Sequence, residues 1–132
     1  MTTATGTFEI TGMDEDAYRE LGPGGKLTRA RGTQRFDGDL EGEGSVEWLM
    51  CYAADGTARF LGLQEITGSI GGRSGSFVLE ATGDHDGSRS KATWRVLEGT
   101  ATGELAGMSG QGGFEAPGGP KGSFTLEYRL PT

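Results

Sequence analysis

The sequence predicts an all-β fold, a closed antiparallel barrel of about eight strands, with residues 1–132 forming a single domain. Three observations predict it. Apolar and polar residues alternate with period two through most of the chain, in runs broken by Gly-containing turns. Glycine supplies 26 of the 132 residues, interleaved with Phe, Leu, Val and Trp and without the G-X-Y period of collagen, so neither a fibre nor a disordered tract fits. A short echo, G-x-[LI]-x-G, recurs at Gly38-Asp-Leu40-Glu-Gly42, Gly68-Ser-Ile70-Gly-Gly72 and Gly103-Glu-Leu105-Ala-Gly107. Residues two apart share a face, and glycines there let a strand bend sharply, as closure of a small barrel requires. An open sandwich is the alternative.

In order, strands are expected near 3–12, 26–37, 39–53, 57–70, 76–85, 88–97, 100–106, 111–116 and 121–130. If 100–116 is one bent unit, the count is eight rather than nine. Met13–Gly25 reads as helical or irregular: Asp14 caps a short turn to Leu21, and Gly22-Pro23-Gly24-Gly25 ends it. A turn near Gly38 sets Arg35 opposite Glu41 and Arg29 opposite Glu47, a charge-paired outward stripe. Ala53–Thr57 fits a loop with Gly56 left-handed, aligning Tyr52 with Ala58, Met50 with Phe60, Trp48 with Gly62 and Val46 with Gln64. Asp86-Gly87 predicts a two-residue hairpin turn. That register pairs Phe77 with Val96, Leu79 with Trp94 and Ala81 with Ala92 on one face, and Asp84 with Arg89 on the other.

Composition narrows the function. Twelve basic residues against 19 acidic give a net charge of −7, which disfavours nucleic acid and anionic membrane surfaces as partners. A single Cys (Cys51) and a single His (His85) supply neither an internal disulfide nor a typical zinc site, so no metal and no cofactor is expected. The first residues lack the basic start and apolar stretch of a signal peptide, and no apolar run spans a bilayer, so the expectation is a cytoplasmic protein. Gly71-Gly72-Arg73-Ser74-Gly75 lacks the phosphate-loop pattern and opens a strand, so it reads as turn chemistry. Asp84-His85-Asp86-Gly87 lacks the rest of a calcium loop.

The inward face is the informative one. Even-numbered positions bring Gln34, Trp48, Met50, Tyr52, Phe60 and Gln64 to one side, and the hairpin registers add Leu79, Trp94, Phe124 and Tyr128. Large aromatics alternate with Gly and a few neutral polar groups, the composition of an apolar pocket with orienting hydrogen-bond groups. Those ten residues form the candidate substrate-binding wall, with Gly44 and Gly62 leaving room beside them and Met13–Gly25 as a lid. A core filled by its own side chains is the competing reading, since eight strands enclose barely more than that.

Several ordered runs carry a resemblance. Leu27–Ala30, Phe36–Ser45, Leu49-Met50 with Tyr52, Leu61-Gly-Leu63, Gly71–Leu79, Ala92-Thr-Trp94, Gly99 and Thr102–Gly107 together resemble the bacterial domain-of-unknown-function 3224 family over essentially the whole chain. That family is similar to the allene oxide cyclase-like barrels, which have eight antiparallel strands around an apolar cavity. Relatives in that wider class include cyclases and isomerases of oxylipins and polyketide-derived chains. The resemblance implies a partner that is a small apolar molecule and, as activity, a cofactor-independent cyclase or isomerase of specialised metabolism. The mechanism would be confinement, with Tyr52, Tyr128, Gln34 or Gln64 polarising a carbonyl. Gln64 stands where the family pattern often has Glu, which removes one acid or base, and no catalytic residue is assigned. The alternatives are a non-catalytic carrier or sensor, or a structural barrel acting as a homo-oligomer.

Overall fold

The computed structural model describes residues 1–131. Its strands are β1 (Thr2–Leu21), β2 (Gly25–Gly38), β3 (Leu40–Tyr52), β4 (Ala58–Ile70), β5 (Arg73–His85), β6 (Ser90–Val96), β7 (Ser109–Ala116) and β8 (Lys121–Arg129). Each pairs antiparallel with the next, and β8 returns to β1, so the sheet closes into a barrel. The fold class is as the alternation predicts. Along β3, even positions from Leu40 to Trp48 point inward and odd ones point to water.

The inward face is crowded because glycines on adjacent strands make way for rings. A Cβ on Gly62 would lie 2.6 Å from Trp48 Cδ1, and one on Gly83 would lie 2.7 Å from Phe60 Cζ. Phe36 lies against Gly44, Phe124 against Gly6 and Phe8 against Gly122 in the same manner. The space expected beside Gly44 and Gly62 is therefore occupied by Phe36 and Trp48. The glycine echo also has a structural use: Gly42, Gly68 and Gly75 are consecutive cross-strand partners, which lets the strand backbones approach closely there.

The structure corrects four expectations. Met13–Gly25 is neither helical nor irregular up to Leu21: β1 continues through it, with register shifts at Ile10/Gly12 and Ala17/Arg19. The reason is tertiary. β8 pairs with β1 only as far as Glu9, whereas β2 runs on to Gly25 with an edge that needs a partner, and the second half of β1 supplies it. Residues 100–106 form no strand. They hold a 3₁₀ turn at Gly103–Leu105, and the barrel has eight strands.

The other two corrections are registers, each displaced by two residues. Between β2 and β3, Arg35 faces Glu43 and Arg31 faces Glu47, while Arg29 faces Leu49. Here Asp39 is drawn to β1: its N–H donates to the Thr5 carbonyl and its carboxylate accepts from the Thr5 N–H. The connection is thereby widened. Between β5 and β6, Leu79 pairs with Val96, Ala81 with Trp94 and Asp84 with Lys91, so neither Leu79–Trp94 nor Asp84–Arg89 is a direct pair. The Asp86 carboxylate accepts from the N–H groups of Ser88 and Arg89, which builds a four-residue turn in place of a two-residue one. A shift of two preserves every face. The β3–β4 register is as the sequence predicts, with Gly56 at φ 90°.

The two ends differ. At one, the segment after β6 seats Leu105 and Met108 fully inside. It also lines the edge of β5 that β6 is too short to reach. Thr102 donates its N–H to the Ser76 carbonyl, and the Thr102 and Thr100 hydroxyls accept from the N–H groups of Ser76 and Val78. At the other end stand Tyr52, Ala58, His85, Ser90 and Ala116, beside the extended β1–β2 hairpin.

Candidate functional site

The lumen holds seven aromatic rings in continuous contact. Trp48 stacks on Phe114 at 5.9 Å and 20° and tilts against Phe60 at 5.2 Å. Phe114 meets Trp94 at 5.8 Å and Phe8 at 5.4 Å, and Trp94 and Phe36 both reach Phe124, at 6.0 and 5.7 Å. These separations are those of favourable offset and edge-to-face pairs, each adding about 0.5–1.5 kcal/mol beyond area burial. Phe114 and Phe8 join this cluster although the sequence reading did not place them in the wall. For Phe114 the signal was present, because it shares the parity of Gly112 and Ala116 in β7.

Through this apolar interior runs one polar line. Trp94 Nε1 donates to Gln64 Oε1 at 2.8 Å, and Gln64 Nε2 donates to Gln34 Oε1 at 2.8 Å. Its direction is forced, since an indole N–H only donates. Gln64 must turn its oxygen to Trp94 and its nitrogen to Gln34, so Gln34 must present its oxygen to Gln64. Gln34 Nε2 is left at the end of the line. It is buried without a partner, as is Trp48 Nε1. A buried donor with no acceptor costs about 1–3 kcal/mol, so an acceptor oxygen placed beside either atom would relieve that cost.

The ten expected wall residues divide by height in the barrel. Gln34, Gln64, Leu79, Trp94 and Phe124 are buried in its body, and Trp48 and Phe60 are buried toward the hairpin end. Met50 and Tyr52 are half-buried at that rim. Tyr128 lies near the plugged end, where a Cβ on Gly71 would sit 2.7 Å from its hydroxyl. Tyr52 and Tyr128 thus do not act on one point. Tyr52 instead donates to Glu15 Oε2 at 2.7 Å, and the buried Thr28 hydroxyl donates to the same oxygen at 2.7 Å. Lys26 Nζ stands 5.1 Å from the Tyr52 ring centroid. This latch ties β1 over the rim. Burial, with the Glu15 hydrogen bond and charge adding to it, pushes the Tyr52 phenol from 10.0 up to about 12. At neutral pH it is a donor and no base. Glu15 was missed because its segment reads as helical from local sequence.

Among the described residues the fully buried polar groups, tyrosine apart, are Thr28, Gln34 and Gln64, none of them ionisable. No group of three or more His, Cys, Asp or Glu is placed to hold a metal among these residues. Among the described residues no helix is long and apolar enough to cross a membrane. Neutral hydrogen bonding inside an aromatic enclosure is the chemistry this interior offers.

Fold and lumen together define an eight-stranded antiparallel barrel whose interior is aromatic and crossed by an amide relay. The chain belongs to the DUF3224 family of proteins of unknown function, which it matches over residues 4–128. A solved structure of a protein with unknown function from that family, from Shewanella oneidensis MR-1, is similar over 100% of this chain and 99% of that one. The two share 26% identity with a TM-score of 0.84. No curated protein matches the chain.

Proposed function

We propose that the barrel binds a small apolar molecule carrying one acceptor oxygen, such as a ketone or ester, which takes the free amide hydrogens of Gln34. The unpartnered Gln34 Nε2, at the end of a relay that can run in one direction only, carries this reading. Entry is from the rim of Met50 and Tyr52, with side chains rather than strands moving aside. The carrier or sensor role follows directly from that chemistry. A cyclase or isomerase role would draw on the same features, with confinement and one neutral donor acting on a polarised carbonyl and no acid–base pair.

Titration with matched compounds, an apolar ketone and the hydrocarbon of the same skeleton, followed by tryptophan fluorescence, tests the reading. The ketone is expected to bind about tenfold or more tightly than the hydrocarbon, the value of one buried hydrogen bond. Gln34→Glu, which keeps an acceptor for Gln64, is expected to abolish the preference. Absence of binding, or equal binding of both compounds, overturns it.

A second reading is a packed structural barrel, favoured by the rings seated on Gly62, Gly83 and Gly44. Trp94→Ala separates the two. A filled core loses about 3–5 kcal/mol on such a truncation, whereas a lumen that opens for a ligand loses less stability and more affinity.

A further inference from the structure

The outer face carries an apolar patch where alternation would place polar groups. Leu49, Leu61 and Leu63 are 43%, 56% and 51% exposed. Leu49 and Leu61 are direct cross-strand partners, and Leu63 is the next outward residue of β4. Leu27 and Tyr18 extend the apolar ground along a groove of 310 Å³ that includes Leu49 and Leu61. A single exposed Leu is ordinary, but a contiguous group signals something that covers it.

The charges around the patch indicate what that is. One cross-strand row reads Arg31, Glu47, Leu63, Glu80 from β2 to β5, and the next reads Arg29, Leu49, Leu61, Thr82. The β2 side is basic and the β5 side acidic. A two-fold axis parallel to the strands, between β3 and β4, lays each row on its own reversed copy. Leu49 then meets the partner's Leu61, Arg31 meets the partner's Glu80, and Glu47 packs its stem beside the partner's Leu63. The surroundings are close to neutral, Arg29, Arg31 and Arg59 standing against Glu47, Glu65, Glu80 and Asp84, on a chain whose net charge is −7. Self-repulsion is weakest there.

We propose that this face docks a second copy of the chain, giving an isologous dimer. The surface is self-complementary at its Leu49–Leu61 centre and in the flanking Arg31 and Glu80, and the proposal is independent of what the lumen binds. The chain's single cysteine, Cys51, is exposed at the edge of the patch, opposite Leu27 on one side and Arg59 on the other. Dimerisation through this face brings the two Cys51 thiols close across the axis.

Sedimentation of the full chain over a range of concentrations is expected to show a dimer, and a short bifunctional maleimide is expected to cross-link it through Cys51. Leu61→Glu, its fold checked by circular dichroism, should abolish both signals. Arg31→Glu and Glu80→Arg should each weaken dimerisation about tenfold, and the double reversal should restore it. A monomer throughout the range overturns the proposal. So does a dimer that survives Leu61→Glu, or a trimer.

Discussion

At the plugged end of the barrel, Leu105 and Met108 are fully buried and their segment is tied to β5 through Thr100 and Thr102. At the hairpin end, Met50 and Tyr52 are only half-buried, and the second half of β1, paired along one edge with β2, is tied to Tyr52 and Thr28 by two hydrogen bonds to Glu15 Oε2. The first closure rests on apolar area removed from water, which is lost only if the segment comes out as a whole. Beyond the β1–β2 ladder, the second rests on two polar side-chain bonds, each of which water can replace at about 0.5–1.5 kcal/mol. One sheet thus has a buried floor and a more lightly tied rim.

Three measurements bear on that contrast. Leu105→Ala should cause the largest loss, about 2–5 kcal/mol in denaturant unfolding, because it empties a fully buried site. A loss below 1 kcal/mol would mean that the plug is as loosely held as the rim. Tyr52→Phe should cost only about 0.5–1.5 kcal/mol and should leave the midpoint of the core largely in place. Its effect should instead appear in hydrogen exchange, as faster exchange of the amides of the second half of β1, with the β5 amides facing Thr100 and Thr102 unchanged. Equal acceleration at both ends would erase the distinction.

A further effect is one of pH. The Tyr52 phenol is raised from 10.0 to about 12, so the latch contributes fully below the unfolded value near 10. That contribution is lost as pH rises through about 12, where the folded protein releases the proton. Stability measured between those values should fall more steeply in the wild type than in Tyr52→Phe, and tyrosinate absorbance should show the late titration. Identical slopes would place the Tyr52 hydroxyl in water rather than on Glu15.

Outside the second half of β1 and the segment between β6 and β7, the sequence by itself determined which side of the sheet a residue occupies. Gln34, Trp48, Gln64 and Trp94 share the interior because strand alternation has period two, and nothing distant can change that without shifting a register by one. The β3–β4 hairpin was legible to the residue because Gly56 allows one compact turn. Two other registers were not, since a displacement of two leaves each face unaltered and the hydrophobic pattern is blind to it. Hydrogen bonds from Asp39 to Thr5 and within the Asp86 turn decided them. Three further features came only from the tertiary structure. The second half of β1 is a strand because β2 runs past the end of β8, and residues 100–106 are a plug because β6 stops short along β5. The direction of the Gln64–Gln34 relay is set by the indole that β6 brings to its start. Each depends on what an unpaired backbone edge or a buried donor finds on another strand, and such partners are chosen by barrel closure rather than by neighbours in the chain.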